Sequence, residues 1–367
     1  MAVPFLDLTR QNRQVRDQAV AIFHDAVEHS AFIGGKRVEE FEQNFARFCG
    51  ARFGVSIKSG TDALRLAIAA CGLEPGDEII TSPFTFIATA EVITQNGGKV
   101  VFTDIDPDTY NLDPRELEKH ITPRTRGIIP VHLYGNPCAM DAILEVARKH
   151  RLWVLEDACQ SHGATYNGRV VGSIGTCAAF SFYPTKNMGA FGEGGFVTTQ
   201  DEALAKRIQA LRSHGQSVRY VHDFEGFNAR LDAIQAGILN EKLKLLPAWN
   251  DERIRVAAVY LDALAGVGDL VLPRPVEGAT HVYHLFTVRT ARRDALQVFL
   301  NQQGIGTAIH YPIPLHMQAA YQYLGHAPED FPASLACSRS VISLPLYQGI
   351  TEVEVGEVIG AVRKFFS

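Results

Sequence analysis

The sequence has no CxxC pair, no long apolar run and no block of like charges. Its six cysteines are scattered along the chain. This spacing argues against a zinc site or a disulfide framework and is typical of reduced, mostly buried thiols. A formal net charge of -5 without a basic cluster gives no electrostatic reason to expect nucleic acid or an anionic membrane as partner. We therefore expect small molecules as partners and no metal site.

Other familiar signatures are also missing. No apolar stretch reaches the length of about 20 residues that a membrane span needs, and residues 1–10 lack a charged leader followed by an apolar segment. We therefore expect a cytoplasmic protein. Neither G-x-G-x-x-G after a first strand nor G-x-x-x-x-G-K-[ST] is present, which disfavours a nicotinamide or ATP enzyme.

What the sequence does contain is a long alternation of β-rich runs with amphipathic helical patterns. Strands are predicted at Phe53–Lys58, Glu78–Thr81, Lys99–Ile105, Gly127–Leu133, Leu152–Glu156, Ala178–Phe182 and Gly195–Thr199, with helices at Thr61–Cys71, Thr85–Gln95 and Met140–His150. Such alternation predicts an α/β fold with a mostly parallel central sheet and helices on both faces. Ligands of such sheets bind at the carboxyl ends of the strands, where Ser59, Ser82 and Asp157 fall.

The pattern changes after a charged helical stretch at Leu231–Arg255. It continues with a strand at His281–Arg289, a helix at Arg293–Gln303, a strand at Thr307–Tyr311 and a final helix from Thr351. With 367 residues, of which 46% are apolar, the chain is long enough for two domains. We predict a large domain at residues 1–245 and a smaller C-terminal α+β domain at residues 246–367.

Lys186 follows a predicted strand and precedes the glycine-rich turn 189–195. A lysine in such a loop can form a Schiff base with pyridoxal phosphate, while a carboxylate at a strand end, here Asp157, can pair with the ring nitrogen. Gln160 adds an amide that can donate to the phenolate oxygen. Separately, Asp157 can be read as a turn acid and Lys186 as a surface lysine. The turn at Pro184 and the following glycines favour a fixed backbone near a ligand.

A second group of residues suits the rest of this cofactor. Gly60 and Thr61 open a helix after a strand, where free N–H groups and the helix dipole favour a phosphate, although the same residues also suit an ordinary helix cap. Ser181 can add a hydroxyl to that phosphate site. Phe86 is either a core aromatic or a plate stacked on the cofactor ring.

Substrate residues are harder to choose. We predict Tyr183, His310 and Tyr311, of which the last two end a predicted strand of the small domain that should face the cleft. Arg212 and Arg230 can bind the carboxylate of glutamate or a nucleotide phosphate through paired hydrogen bonds. Either arginine can equally form a structural ion pair, and the sequence leaves both possibilities open.

Together these motifs resemble the DegT/DnrJ/EryC1/StrS sugar aminotransferases, pyridoxal phosphate enzymes of fold type I. The resemblance runs nearly end to end and rests on Ser-Gly-Thr, Thr-Phe-x-Ala-Thr, Glu-Asp-Ala-x-Gln and Ser-Phe-x-Pro-Thr-Lys-Asn. It implies that Lys186 is the catalytic, Schiff-base lysine. It further implies ring-nitrogen, phenolate, stacking and phosphate contacts at Asp157, Gln160, Phe86, Gly60, Thr61 and Ser181.

The resemblance also implies partners and a reaction. Gly226–Arg230 matches a Gly-x-Asn-x-Arg motif with which family members reach the neighbouring subunit's phosphate, so Asn228 implies a homodimer with shared active sites. L-Glutamate would give its amino group to the cofactor, and the resulting pyridoxamine phosphate would aminate a keto group of a nucleotide-linked sugar. The motifs around Lys186 and His310 look most like members that aminate C3 of dTDP- or UDP-linked 3-keto sugars, for a surface glycan or a glycosylated metabolite.

Alternatives remain at two levels. A 4-keto sugar, a keto-uronic acid or a keto-cyclitol would suit the same fold, because a few loop residues read a single sugar hydroxyl. The related sugar 3-dehydrases carry histidine in place of the lysine, so Lys186 favours transamination. A noncatalytic, cofactor-binding regulator would lack the lysine or carry a DNA-binding extension, and this chain has Lys186 and no basic extension.

Overall fold

The computed structural model describes residues 2–367. The α-helices are α1 Leu8–Arg13, α2 Arg16–Glu28, α3 Lys36–Cys49, α4 Gly60–Cys71, α5 Ala88–Gln95, α6 Met140–His150, α7 Glu202–Leu211, α8 Ala233–Leu264, α9 Arg293–Gln302, α10 Pro332–Ser340 and α11 Glu352–Phe366. Short 3-10 helices lie at Pro114–His120, Leu133–Gly135, Leu315–Met317, Ala319–Leu324 and Pro328–Asp330. Within residues 2–367, no helix combines the length and the apolar character needed to cross a membrane.

The strands are β1 Phe53–Ile57, β2 Glu78–Thr81, β3 Lys99–Phe102, β4 Thr125–Ile129, β5 Trp153–Asp157, β6 Thr165–Tyr166, β7 Arg169–Val170, β8 Cys177–Ser181, β9 Gly195–Thr199, β10 Gln216–Val218, β11 Val221–His222, β12 Ala279–Thr280, β13 Phe286–Arg289 and β14 Val341–Leu344. A seven-stranded sheet has the order β1-β9-β8-β5-β4-β2-β3. Only β9 runs antiparallel to its neighbours in this sheet. The predicted α/β fold with a mostly parallel sheet is confirmed.

Helices cover both faces of this sheet. Buried side chains of α3, α6 and α8 pack on one face, and those of α4, α5 and α7 pack on the other. Because the strands are buried from both sides, they read as nearly continuous apolar runs. Since β1, β5 and β8 run in the same direction, their carboxyl ends meet at one edge of the sheet, which brings Ser59, Asp157 and Lys186 to the same side of the molecule.

Helix α8 is continuous from Ala233 to Leu264 and therefore passes through the predicted domain boundary at residue 245. Its first half packs on the sheet, whereas Ala257, Tyr260 and Leu264 belong to a separate apolar cluster with β13, β14, α9 and α11. Val3 also packs in that cluster. The division at residue 245 stays a prediction, and the helix shared by the two apolar clusters explains why no linker marks it in the sequence.

Two predicted strands are much shorter than expected. Of the segment 281–289, only Phe286–Arg289 forms a strand, because Val282 N donates to Gly135 O at 3.0 Å in a loop. Of the segment 307–311, only Ala308 pairs, through an isolated bridge to Ser343. The prediction of a strand at Thr307–Tyr311 was therefore wrong, and that of a strand at His281–Arg289 was right only for Phe286–Arg289.

Candidate active site

A cleft of about 550 Å³ opens at the carboxyl ends of the central strands. It brings together most of the residues that the sequence predicts for the site: Gly60, Thr61, Phe86, Asp157, Gln160, Ser181, Tyr183, Lys186, His310 and Tyr311. These residues come from five segments that are far apart in the chain. Their convergence is a property of the parallel sheet, whose strand ends converge at this edge.

Lys186 lies in the loop between β8 and β9, residues 182–194, which we call the lysine loop. Its backbone N–H donates to Tyr183 O at 2.9 Å, and the side chain of Asn187 donates to Asn250 Oδ1 at 3.0 Å. A Cβ at position 189 would lie 2.2 Å from Pro184 O, so only glycine fits there. Burial lowers the pKa of the Lys186 amine, while the neighbouring Cys159 and Asp157 oppose that shift.

Asp157 ends β5 and is only 4% exposed. Its Oδ2 accepts a hydrogen bond from the Thr89 hydroxyl at 2.7 Å, and its Oδ1 accepts one from the backbone N–H of Cys159 at 3.2 Å. Among residues 2–367, no lysine or arginine lies within ion-pair distance of this carboxylate. A buried carboxylate without a cation is well suited to a protonated ring nitrogen of a ligand.

Gln160 is oriented by its neighbours. Its Oε1 accepts a hydrogen bond from Tyr134 N at 2.7 Å, and its Nε2 donates to the Tyr311 hydroxyl at 3.3 Å. Because the amide oxygen is occupied by a backbone donor, the amide nitrogen is the group that faces the cleft. This orientation supports the predicted role of Gln160 as a donor.

The start of α4 forms a cradle for an anion. Ser59 caps the helix by accepting from Asp62 N at 3.1 Å, which leaves the N–H groups of Gly60 and Thr61 without an intrahelical acceptor. A Cβ at Gly60 would lie 2.5 Å from the Cβ of Ser181. The absence of a side chain at position 60 therefore lets the helix end and the Ser181 hydroxyl lie side by side, as a phosphate site requires.

The aromatic side chains of the cleft differ in their exposure to solvent. Phe86 is 54% exposed, which is unusual for a phenylalanine and removes the interpretation of a core aromatic. Its ring centroid lies 6.1 Å from that of Tyr311. His310 Nδ1 lies 3.1 Å from Ser343 Oγ, and burial followed by the charge of Lys186 lowers the pKa of His310 to about 4.

Three predicted residues lie outside the cleft. Arg212 bonds to the Glu42 carboxylate and donates to Ser56 O at 2.8 Å, so the structure favours the ion-pair alternative over the predicted substrate contact. Asn228 and Arg230 line a neighbouring depression of about 390 Å³. Glu193 lines both the cleft and this depression, so the two are adjacent.

The cleft also contains residues that the sequence analysis did not assign. Thr89 is the hydrogen-bond donor to Asp157, and it lies in the Thr-Phe-x-Ala-Thr motif, so a signal for it was present. Glu193 and His284 line the cleft as well. No local pattern distinguishes these two from other loop residues, since only the fold brings them to the site.

A mostly parallel seven-stranded sheet with a lysine loop and a buried aspartate at its strand ends is the arrangement of an enzyme of fold type I. The chain belongs to the DegT/DnrJ/EryC1/StrS aminotransferase family, whose model matches residues 13–363. The recognition of this family from the motifs is thereby confirmed.

Two curated relatives are similar over nearly the whole chain. One is the dTDP-3-amino-3,4,6-trideoxy-alpha-D-glucose transaminase of Streptomyces venezuelae, 42% identical over 365 residues, which cover 99% of this chain and 96% of the relative. The other is named pleiotropic regulatory protein, from Geobacillus stearothermophilus, and is 42% identical over 368 residues, covering 100% and 99% of the two chains.

Solved structures agree with this fold. The structure of S. venezuelae DesV in complex with a ketimine intermediate superposes with a TM-score of 0.98 at 42% identity, covering 100% of this chain and 99% of that chain. The structure of ntda from Bacillus subtilis with bound cofactor PMP has a TM-score of 0.93 at 33% identity, covering 100% and 85%. The neighbours therefore include an enzyme that holds pyridoxamine phosphate in this fold.

Proposed function

We propose that this aminotransferase uses pyridoxal phosphate to move the amino group of L-glutamate to C3 of a dTDP- or UDP-linked 3-keto sugar. The observation that carries the proposal is the convergence of Lys186, Asp157 and Gln160 with the start of α4 in one cleft. The S. venezuelae relative is a 3-amino sugar transaminase, which supports the position of the new amine.

The residues of the cleft fit the cofactor part by part. The N–H groups of Gly60 and Thr61 would hold the phosphate, and Phe86 would cover the ring. When bound, pyridoxal phosphate supplies an aldehyde that takes up an amino group and a ring that accepts an electron pair. Asp157 would keep a proton on the ring nitrogen, and Gln160 would donate to the ring oxygen through Nε2.

Lys186 then has two tasks. Because burial lowers its pKa, a larger fraction of the amine is neutral near pH 7 than for an exposed lysine, and only the neutral amine is a nucleophile. Once the amino donor had taken its place, Nζ would be free to take the proton from the donor Cα and to deliver it to the cofactor. The hydrogen bond from Asn187 to Asn250 holds the lysine loop, which would fix the position of Nζ for both tasks.

The first prediction tests cofactor and donor together. Purified protein mixed with pyridoxal phosphate should develop a visible absorbance band, and borohydride reduction should add the mass of the reduced cofactor to the peptide that contains Lys186. L-Glutamate should abolish the band and protect the lysine from this labelling. A panel of nucleotide-linked 3-keto and 4-keto sugars should then restore it, fastest with a 3-keto sugar.

Three other outcomes would argue against parts of this proposal. Absence of the band and of the labelled peptide would contradict the cofactor assignment. A band that no amino acid changes would favour the noncatalytic, regulatory alternative, for which the name of the Geobacillus relative is an argument. Faster restoration by a 4-keto sugar, a keto-uronic acid or a keto-cyclitol would keep the mechanism and change the substrate.

We further propose that two copies of the chain share their active sites. The outer face of α2 and the segment that follows it expose large apolar side chains at Val20, Phe23, Val27, Phe32 and Ile33. Val20, Phe23 and Phe32 line a groove of about 870 Å³ that includes Phe191 of the lysine loop. Ile33 also lines the depression that holds Asn228 and Arg230, so this apolar surface adjoins the predicted intersubunit residues.

A charged side chain introduced into this apolar surface should therefore dissociate the dimer. Phe23→Glu should convert a dimer into monomers, because burial of a carboxylate in an apolar interface is strongly unfavourable. Light scattering coupled to size-exclusion chromatography measures the mass. Val298→Glu is the matched control, since Val298 is an equally exposed aliphatic residue on α9. A monomeric wild type, or equal dissociation of both variants, would contradict the proposed interface.

A further inference from the structure

His284 is the only cleft-lining residue in the described part of the chain with a buried polar atom that has no hydrogen-bond partner. The atom is Nδ1, and the residue is 8% exposed. Buried polar groups are nearly always paired, since an unpaired group loses its bonds to water without replacement. The unpaired Nδ1 therefore indicates which ring nitrogen carries the proton, because a buried N–H without an acceptor is unfavourable.

The backbone around His284 is held firmly. Tyr283 has a φ of +44°, in the left-handed region, and turns the chain just before His284. Asn187, in the lysine loop, donates to Val282 O at 3.1 Å, and Arg253 Nη1 donates to Tyr283 O at 3.1 Å. His284 is therefore fixed relative to the lysine loop, as a residue that positions a substrate must be.

The protonation state of the ring follows from its surroundings. Burial, followed by the charges of Lys186 and Arg253, lowers the pKa of His284 well below its usual range, so the imidazole is neutral. A neutral imidazole carries one N–H. Because no acceptor is available to Nδ1, the proton is more stable on Nε2, which leaves Nε2–H as a donor for the cleft.

The charges near His284 favour an anion. Lys186 is the only lysine or arginine among the described residues that line the cleft. Behind His284, the buried Arg253 donates to the carbonyl oxygens of Tyr283 and Leu346, each at 3.1 Å, and no carboxylate of residues 2–367 pairs with it. An amino acid that enters the cleft brings a carboxylate on the same carbon that Lys186 must reach, and that carboxylate needs a donor.

We propose that His284 donates a hydrogen bond from Nε2 to the α-carboxylate of the amino-acid donor and so determines the affinity for that donor. The inference rests on the proposed transamination, since it assigns the donor's carboxylate to a subsite of the same cleft. A neutral sugar hydroxyl suits the position less well, because the positive charge of the buried Arg253 behind the ring favours a negative charge there.

The test compares His284→Gln, whose amide nitrogen replaces Nε2, with His284→Met, which has a similar shape and no donor. Calorimetry measures the binding of glutarate, a dicarboxylate without an amino group, to the protein loaded with pyridoxal phosphate. Stopped-flow absorbance measures the KM for L-glutamate. We expect His284→Met to lower the affinity for glutarate and to raise the KM for L-glutamate, each by about tenfold to a hundredfold, with His284→Gln within about threefold of the wild type.

His316→Met is the control, because His316 also has a buried, unpaired Nδ1 but lies outside the cleft. It should leave glutarate binding unchanged. If His284→Met does not fold, wild-type protein with ¹⁵N-labelled histidine still tests the inference, since glutarate should shift one imidazole Nε2 signal that His284→Gln lacks.

Unchanged glutarate affinity in His284→Met, equal losses in the Met and Gln variants, or an unshifted imidazole signal would overturn the role of His284. These results are distinct from failure of the proposed function. In that case the wild type itself would not take up pyridoxal phosphate or would not react with L-glutamate, and the subsite would fall with it.

Discussion

Lys186→Ala should abolish transamination, lowering turnover by at least about ten-thousandfold, because the variant loses both the nucleophile and the group that moves the proton at the donor Cα. Folding should be preserved, since the lysine loop is held by other residues. Asn187 anchors it through Asn250, and Gly189 packs against Pro184. Turnover with L-glutamate and a keto sugar is the measurement, with thermal unfolding as the check on folding.

Lys186→Arg is the matched control. It keeps a long cationic side chain but cannot link to the cofactor or exchange its proton near neutral pH. Both variants should therefore lack the borohydride-labelled peptide, and both should still retain pyridoxamine phosphate noncovalently through the phosphate cradle at Gly60 and Thr61. Near-wild-type turnover in either variant would refute the assigned role of Lys186.

Asp157→Asn should lower turnover on the order of a hundredfold to a thousandfold, the usual loss for one preorganised electrostatic contact. The amide has the shape of the carboxylate but no negative charge, so it cannot keep the ring nitrogen protonated. The loss should appear in kcat for both half-reactions, because both use the ring to hold the electron pair. Stopped-flow absorbance with L-glutamate and with the amino-sugar product separates the two.

Thr89 provides an independent test of the same carboxylate. Its hydroxyl donates to Asp157 Oδ2 at 2.7 Å. Thr89→Val removes this donor at constant volume and should cost about tenfold in kcat, whereas Thr89→Ser should stay near the wild type. Full activity of Asp157→Asn would contradict the ring-nitrogen role, and equal activities of the Val and Ser variants would show that Thr89 does not orient the carboxylate.

Active-site roles could be predicted from short sequence motifs where a role depends on one residue and its neighbours in the chain. Lys186 lies between a strand and a glycine-rich turn, and Asp157 ends an apolar strand with Gln160 three residues later. Such short patterns define the backbone around each residue, and the parallel sheet then brings these residues to one cleft. The roles assigned to them stay predictions that the variants above test.

Residues whose role depends on distant partners could not be assigned in the same way. Arg212 is a plausible anion binder in sequence, and only the fold brings it to Glu42. The predicted strand at Thr307–Tyr311 has a suitable pattern, but a strand needs a partner along its whole length, and only Ala308 finds one. Both outcomes have the same origin, because pairing is decided by residues far away in the chain.

The sequence alone therefore determined the fold class and the family, and it predicted the roles of Lys186 and Asp157, because apolar periodicity and short motifs are local properties of the chain. The tertiary structure decided which side chains meet. It pairs Thr89 with Asp157 and Arg212 with Glu42. It also places His284, which has an unpaired ring nitrogen, in the cleft. These contacts link segments that are 68 to 170 residues apart, so they arise only when the sheet has assembled.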